Sequence, residues 1–274
     1  MSSVRMSSTS SKILAFRKVV WDHYKKQGRH ELPWRKTHNP YRILVSEVML
    51  QQTQVERVIP YYKDWLRKFP TANALAKASL ADVLRAWQGL GYNRRAKNLQ
   101  AAAREVAKLE KFPEDLETLP GVGPYTARAI RAFAHNEDVI FIETNIRTVV
   151  THHFFRNKEK VEDKEILFIL EKALPKGKSR EWYGALMDYG SHLKRSGVRI
   201  NSKAKAYKKQ EAFEGSRRQA RGAILKALAK GGRTSAFLIE LLGPTRRSQL
   251  RAQLISLTKE GLIELQKGKF RLPR

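Results

Sequence analysis

The sequence predicts an all-α protein with a small winged-helix module at its C-terminal end, and three observations lead there. Apolar residues recur at helical spacing through most of the chain, as in Ile43, Val48 and Leu50, in Leu75, Val83, Leu84 and Trp87, and in Ile166, Ile169, Leu170 and Leu174. Pro and Gly interrupt that pattern at Pro40, Pro60, Pro70, Gly89, Gly91, Pro113, Pro120, Gly121 and Gly123, so the helices are short to medium and joined by tight turns. Strand signals are few. The clearest comes last, where Leu262-Ile263-Glu264-Leu265, a Lys267-Gly268 turn and Phe270-Arg271-Leu272 alternate like a small hairpin.

Taken in order, residues 1–12 are rich in Ser and lack an apolar run. They read as a disordered tail rather than a secretory signal, which needs a hydrophobic segment, and a cytoplasmic, nucleoid-associated protein is expected. Residues 13–193 form the helical body. Residues 194–214, crowded with Lys203, Lys205, Lys208 and Lys209, read as a basic linker or loop. Residues 215–274 carry predicted helices over 217–229, 234–242 and 246–259 ahead of the hairpin, the order of a winged helix. Its third helix bears Arg246, Arg247, Gln249, Arg251 and Gln253, suited to a DNA groove; a structural or protein-binding module with a solvated basic face is the alternative.

Charge narrows the partner. Lys and Arg number 54 against 26 Asp and Glu, a formal net charge of +28, which exceeds what solubility asks and fits a polyanion. No apolar stretch is long enough to span a bilayer and no lipidation signal is present, so nucleic acid is favoured over membrane. The chain has no cysteine, which excludes disulfides, Cys nucleophiles, thiolate zinc sites and cysteine-held iron–sulfur clusters; no cofactor is expected. His152-His153 and the Asp188/His192 pair lack a third ligand at suitable spacing, so no metal site is expected either.

Leu119-Pro120-Gly121-Val122-Gly123-Pro124-Tyr125-Thr126-Ala127 is the strongest local motif. Its two glycines permit a tight turn with exposed backbone N–H groups, and the following helix offers its positive end; Gly121, Val122, Gly123, Tyr125 and Thr126 are the candidate DNA-phosphate contacts. An ordinary helix–helix connection is the alternative. Two carboxylates stand out. Glu47 shares a helix face with Ile43 and Leu50, so burial would raise its pKa and let it act as a general acid, unless it is a surface Glu or satisfied by a nearby Gln or Arg. Glu143 ends the apolar run Val139-Ile140-Phe141-Ile142 and precedes a helix whose positive end should keep it ionised, although an ordinary helix-start acid would look the same. Together they form the acid and anion pair that glycosidic cleavage uses.

Leu32-Pro33-Trp34-Arg35, the Ser46–Val55 block SEVMLQQTQV, Gly89-Leu90-Gly91-Tyr92 and the Leu119–Ala127 hairpin together resemble the MutY-type adenine DNA glycosylases of the helix-hairpin-helix superfamily, from about Lys18 to Leu193. The resemblance implies a two-lobed helical fold and a base-excision-repair enzyme that hydrolyses the N-glycosidic bond of a flipped, mispaired base in double-stranded DNA; a monomer is expected. It implies that Glu47 protonates the target purine and that Glu143, where the family has Asp, stabilises the sugar cation. It further implies that Gln51, Gln52 and Tyr92 fill the stack or hold the opposite strand and that Arg35 lies near the extruded base, with Gly184 where a polar residue commonly touches adenine. Trp34 reads as core packing. Tyr125 occupies the position where strand-cleaving relatives place a Schiff-base Lys, which implies a monofunctional enzyme. The family's four cluster cysteines after the stretch matching Met187-Asp188-Tyr189-Gly190 are absent, and the basic 194–209 segment takes their place. The expected substrate is adenine opposite guanine or oxidised guanine. The alternatives are thymine or uracil opposite guanine, a deaminated purine, or a non-catalytic DNA-binding winged-helix protein.

Overall fold

The computed structural model describes residues 2–198, 200 and 213–273. Among them are thirteen α-helices and one two-stranded hairpin, grouped in two compact units: Met1–Ile43 with Gly123–Lys209, and Leu44–Val122 with Gln210–Arg274. The Lys203–Lys209 part of the predicted basic linker lies outside the described residues.

The first unit contains α1 (Ser2–Gln27), α7 (Pro124–His135), α8 (Thr144–Phe154), α9 (Asp163–Ala173) and α10 (Ser179–Arg195). α1 starts at Ser2, so residues 2–12 of the expected disordered tail are helix in the structure. Ile13, Phe16 and Val20 share one buried face, and once that nucleus is packed, each upstream residue adds a hydrogen bond with no Pro or Gly to stop it. α10 is the core helix: Trp182, Tyr183, Ala185 and Leu186 are fully buried. Tyr183 stacks on Phe141 at 3.9 Å, donates to the Val139 carbonyl at 2.8 Å and accepts the Phe141 N–H, fastening the irregular apolar run that leads to Glu143. At Gly190 a Cβ would fall 2.3 Å from the Asn145 carbonyl oxygen, so only glycine lets α10 approach the start of α8 this closely.

The second unit contains α3 (Val55–Lys68), α4 (Ala72–Lys77), α5 (Leu80–Ala86), α6 (Arg94–Leu109), α11 (Arg217–Ala229), α12 (Ser235–Leu242), α13 (Arg247–Lys259), β1 (Glu264–Gln266) and β2 (Lys269–Arg271). Trp65 and Trp87 meet edge to face at 5.3 Å inside it. α11 and the chain end after β2 pack against the α5 segment: Arg85 Nε donates to the Ala229 carbonyl, Gln88 to that of Leu225, and the Ala81 N–H to that of Pro273. Lys267 and Gly268 both have positive φ, the geometry of a two-residue hairpin turn, and β1 pairs antiparallel with β2 in the register Glu264↔Arg271. A further bridge joins Arg233 to Phe270. Of the polar residues predicted on the third helix, Arg247 and Arg251 are exposed, Gln253 is buried, and Arg246 is spent on Gln219 and Gln249.

The remaining helix, α2 (Pro40–Leu50), carries the division between the units, which falls between Ile43 and Leu44.

Candidate active site and DNA contacts

Glu47 lies on α2 with 6% of its surface exposed, between Ser46 and Val48, which are also buried. The spacing to Ile43, itself 1% exposed, places the carboxyl on the face the sequence predicts. Gln51 and Gln52 follow in the turn that ends α2, with Gln52 exposed. Tyr92 is 39% exposed.

One side chain gathers these segments. Arg95, in the first turn of α6, donates through Nη1 to the carbonyls of Val48 at 2.6 Å, Met49 at 3.2 Å and Gln51 at 2.6 Å. Through Nη2 it reaches the carbonyls of Leu90 at 3.1 Å and Gly91 at 3.2 Å. Its guanidinium lies over the rings of Trp87 and Tyr92, and burial brings its pKa down to about 10. Sequence reasoning missed Arg95, because in the run Arg94-Arg95-Ala96-Lys97 a solvated basic face is the ordinary expectation.

In the first unit, Glu143 is the N-cap of α8. Its Oε2 accepts the Asn145 N–H at 2.7 Å and its Oε1 accepts Asn145 Nδ2 at 3.1 Å. Burial pushes the carboxyl above the usual Glu range, against the pull of these hydrogen bonds and of the Lys194 charge. The helix-end effect that predicts an ionised Glu143 is therefore outweighed by desolvation. Lys194, assigned by sequence to the linker, sits in the last turn of α10; burial lowers its own pKa while Glu143 opposes the shift. The two glutamates belong to different units.

Arg35 and Gly184 are brought together. Arg35 forms a fork with Asp188, Nη1 to Oδ2 at 2.6 Å and Nη2 to Oδ1 at 2.9 Å, and Nη2 also donates to the Gly184 carbonyl at 3.0 Å. A Cβ on Gly184 would rest in ordinary contact 3.5 Å from the guanidinium carbon. Asp188 also accepts from the Arg29 N–H and Nε. Burial pushes the Asp188 carboxyl up, yet the bonds and charges of Arg35 and Arg29 prevail and hold it below the usual Asp range. Arg180 fixes the same loop by donating to the Arg35 and Thr37 carbonyls. Trp34 is half-buried beside it.

The hairpin turn requires glycine at Gly121, while Gly123 is extended with open space around it. Gly121 has φ +78°, and a Cβ there would meet Asn98 on α6 at 2.7 Å. Val122 is buried while Gly121 and Gly123 are exposed. Gly123 caps α7 without a side-chain hydrogen bond, Pro124 opens the helix, and no acidic residue stands in its first turn to neutralise the positive helix end. Thr126 is buried, and the Tyr125 ring meets Phe141 edge to face at 5.7 Å.

A model of the HhH-GPD superfamily of base excision DNA repair proteins matches residues 45–176. Over 270 residues the sequence is 34% identical to an adenine DNA glycosylase of Mycolicibacterium smegmatis, covering 89% of this chain and 90% of that one. The chain belongs to this superfamily. It is also 50% identical over 131 residues to an adenine DNA glycosylase of Mycobacterium tuberculosis, spanning 46% of this chain but only 43% of that relative. Among solved structures it is similar to a thermostable thymine-DNA glycosylase, with a TM-score of 0.59, 25% identity and coverage of 67% of this chain and 88% of that one. The iron–sulfur cluster implied by the resemblance has no ligands here: the chain lacks cysteine, and the described residues contain no group of three or more His, Cys, Asp or Glu placed to hold a metal.

Proposed function

We propose that this chain is a monofunctional adenine DNA glycosylase, acting as a cytoplasmic, nucleoid-associated monomer on adenine mispaired with guanine or oxidised guanine in double-stranded DNA. The observation that carries the reading is the match along 90% of the mycobacterial adenine DNA glycosylase; the burial of Glu47 in α2 and the N-cap position of Glu143 on α8, each within its own unit, support it. The bond between the sugar C1′ and the adenine breaks with its electron pair leaving on the base, and Glu47 delivers a proton to that base. Glu143 stabilises the positive sugar. Water then adds to C1′ and its proton restores the acid, leaving an abasic site. Tyr125 carries no amine, so no Schiff base forms at that position.

Contacts to DNA follow the same division of labour. The turn at Gly121, Val122 and Gly123, with the Tyr125 and Thr126 end of α7, holds a phosphate without reading sequence. Gln51, Gln52 and Tyr92 replace the stacking lost when the base leaves the duplex. Arg35 and Gly184 form part of the base pocket, with Arg35 fixed by Asp188 rather than donating to the base. Residues 215–274 act as a winged helix that adds phosphate contacts through Arg247 and Arg251.

The test is base release from a panel of end-labelled duplexes carrying adenine opposite guanine, adenine opposite oxidised guanine, thymine or uracil opposite guanine, and hypoxanthine. Release confined to the adenine duplexes is expected. Release confined to another base would replace the substrate, and an inactive protein across the panel would overturn the enzyme reading in favour of a DNA-binding module.

A further inference from the structure

Five non-glycine residues among those described have positive φ. Three have a local reason: Glu110 and Asn136 end α6 and α7, and Lys267 sits in the hairpin turn. The other two are Gln52 at φ 55° and Tyr92 at φ 46°. A left-handed conformation is strained for a residue with a Cβ, and such strain persists where the surroundings over-determine it. Both residues border carbonyls gripped by Arg95: Gln51 on one side, Leu90 and Gly91 on the other.

We propose that Arg95 is a positioning residue that holds Gln52 and Tyr92 in their left-handed conformations and thereby aims both segments into the base stack. The inference rests on the stack-filling role proposed above for those two side chains. Among the described residues its partners are backbone carbonyls, aromatic faces and the Thr53 hydroxyl, so the guanidinium fixes the path of the main chain rather than pairing with an acid. Three of the carbonyls, Val48, Met49 and Gln51, lie at the C-terminal end of α2, where helix carbonyls lack intrahelical donors; Arg95 thus also caps the helix that carries Glu47. A lysine cannot reproduce this, because its ammonium is a point donor and the planar fork reaches two segments at once.

The test places 2-aminopurine beside the mispair, so that its fluorescence reports unstacking, and pairs that signal with single-turnover base release on the duplex the panel selects. In Arg95→Lys, the fluorescence rise and the release rate are expected to fall at least about tenfold, while affinity for undamaged duplex stays within about threefold. Gln52→Asn tolerates the left-handed region and keeps the amide. In the Arg95→Lys background it should recover at least about threefold of the release rate, whereas in the parent it should give no gain, because Arg95 already holds the conformation and the shorter side chain reaches less far into the stack. Full flipping and release by Arg95→Lys, with Gln52→Ala and Tyr92→Ala both impaired, would overturn the inference alone. Unchanged flipping in Gln52→Ala and Tyr92→Ala would overturn the stack-filling reading beneath it. If Arg95→Lys does not fold, Gln52→Gly in the parent decides: a raised Tm with slowed flipping is expected, and an unchanged or lower Tm would contradict the strain.

Discussion

Glu47 sits on the apolar side of α2, between buried Ser46 and Val48, whereas Glu143 stands at the start of α8 with both oxygens bonded to Asn145. The first setting suits a group that must carry a proton to a leaving base. The second supplies donors and a positive helix end that favour the anion needed opposite a cation, while desolvation pulls the other way and leaves the carboxyl above the usual Glu range. Asp188 provides a control in the same protein: it is as buried as Glu47, yet two arginines consume it. Glu47 and Asp188 share burial while Glu143 is half-buried, and the two arginines set Asp188 apart as a structural anion.

Glu47→Gln tests that distinction with the largest expected effect, a loss of base release of about 10³-fold or more, or about 4 kcal/mol in the barrier. Single-turnover kinetics measure it, and duplex affinity should be unchanged. Asp188→Asn should instead cost stability, about 3 kcal/mol, because Arg29 and Arg35 are left partly buried and underpaired; thermal denaturation reads this. Asp188 has a depressed pKa in the folded state, so its contribution is present above the unfolded carboxyl value and is lost as pH falls through the depressed one.

Glu143→Gln should slow release by about 10²-fold through loss of the electrostatic stabiliser, without lowering Tm at neutral pH. The sign follows from its raised pKa: the folded state binds the Glu143 proton more tightly than the unfolded state does. That stabilisation is full below the unfolded value and is lost as pH rises through the folded one. The stability difference should therefore move in the variant's favour as the pH of the melt rises. Lys194→Met carries the smallest effect. Removing the charge that opposes burial of Glu143 should move the acidic limb of the parent's pH–rate profile to higher pH, with the plateau rate changed less than about threefold.

Much of this was legible where a residue's local chemistry dictates its conformation. Gly121 and Gly123 announce the turn, Lys267-Gly268 announces the hairpin, and the i, i+4 spacing to Ile43 marks Glu47 for burial. What stayed hidden was decided by packing across sequence distance. Lys194 looks like the first residue of a basic linker until Gly190, one turn earlier, lets α10 close on the start of α8. Arg95 looks solvated until its carbonyl partners, 44 to 47 residues away in sequence, converge on it. Glu143 has the helix-end signature of an ionised acid, and only the surrounding fold supplies the desolvation that opposes it.

The proposed reaction is hydrolytic removal of adenine without a covalent enzyme–DNA bond. The most direct measurement incubates the unmodified protein with a duplex holding one adenine opposite guanine and quantifies free base, strand integrity and borohydride-trapped adduct in the same sample. One free adenine per duplex, an unbroken strand carrying an abasic site and no trapped adduct are the predicted result. A trapped adduct, or no released adenine, would contradict it.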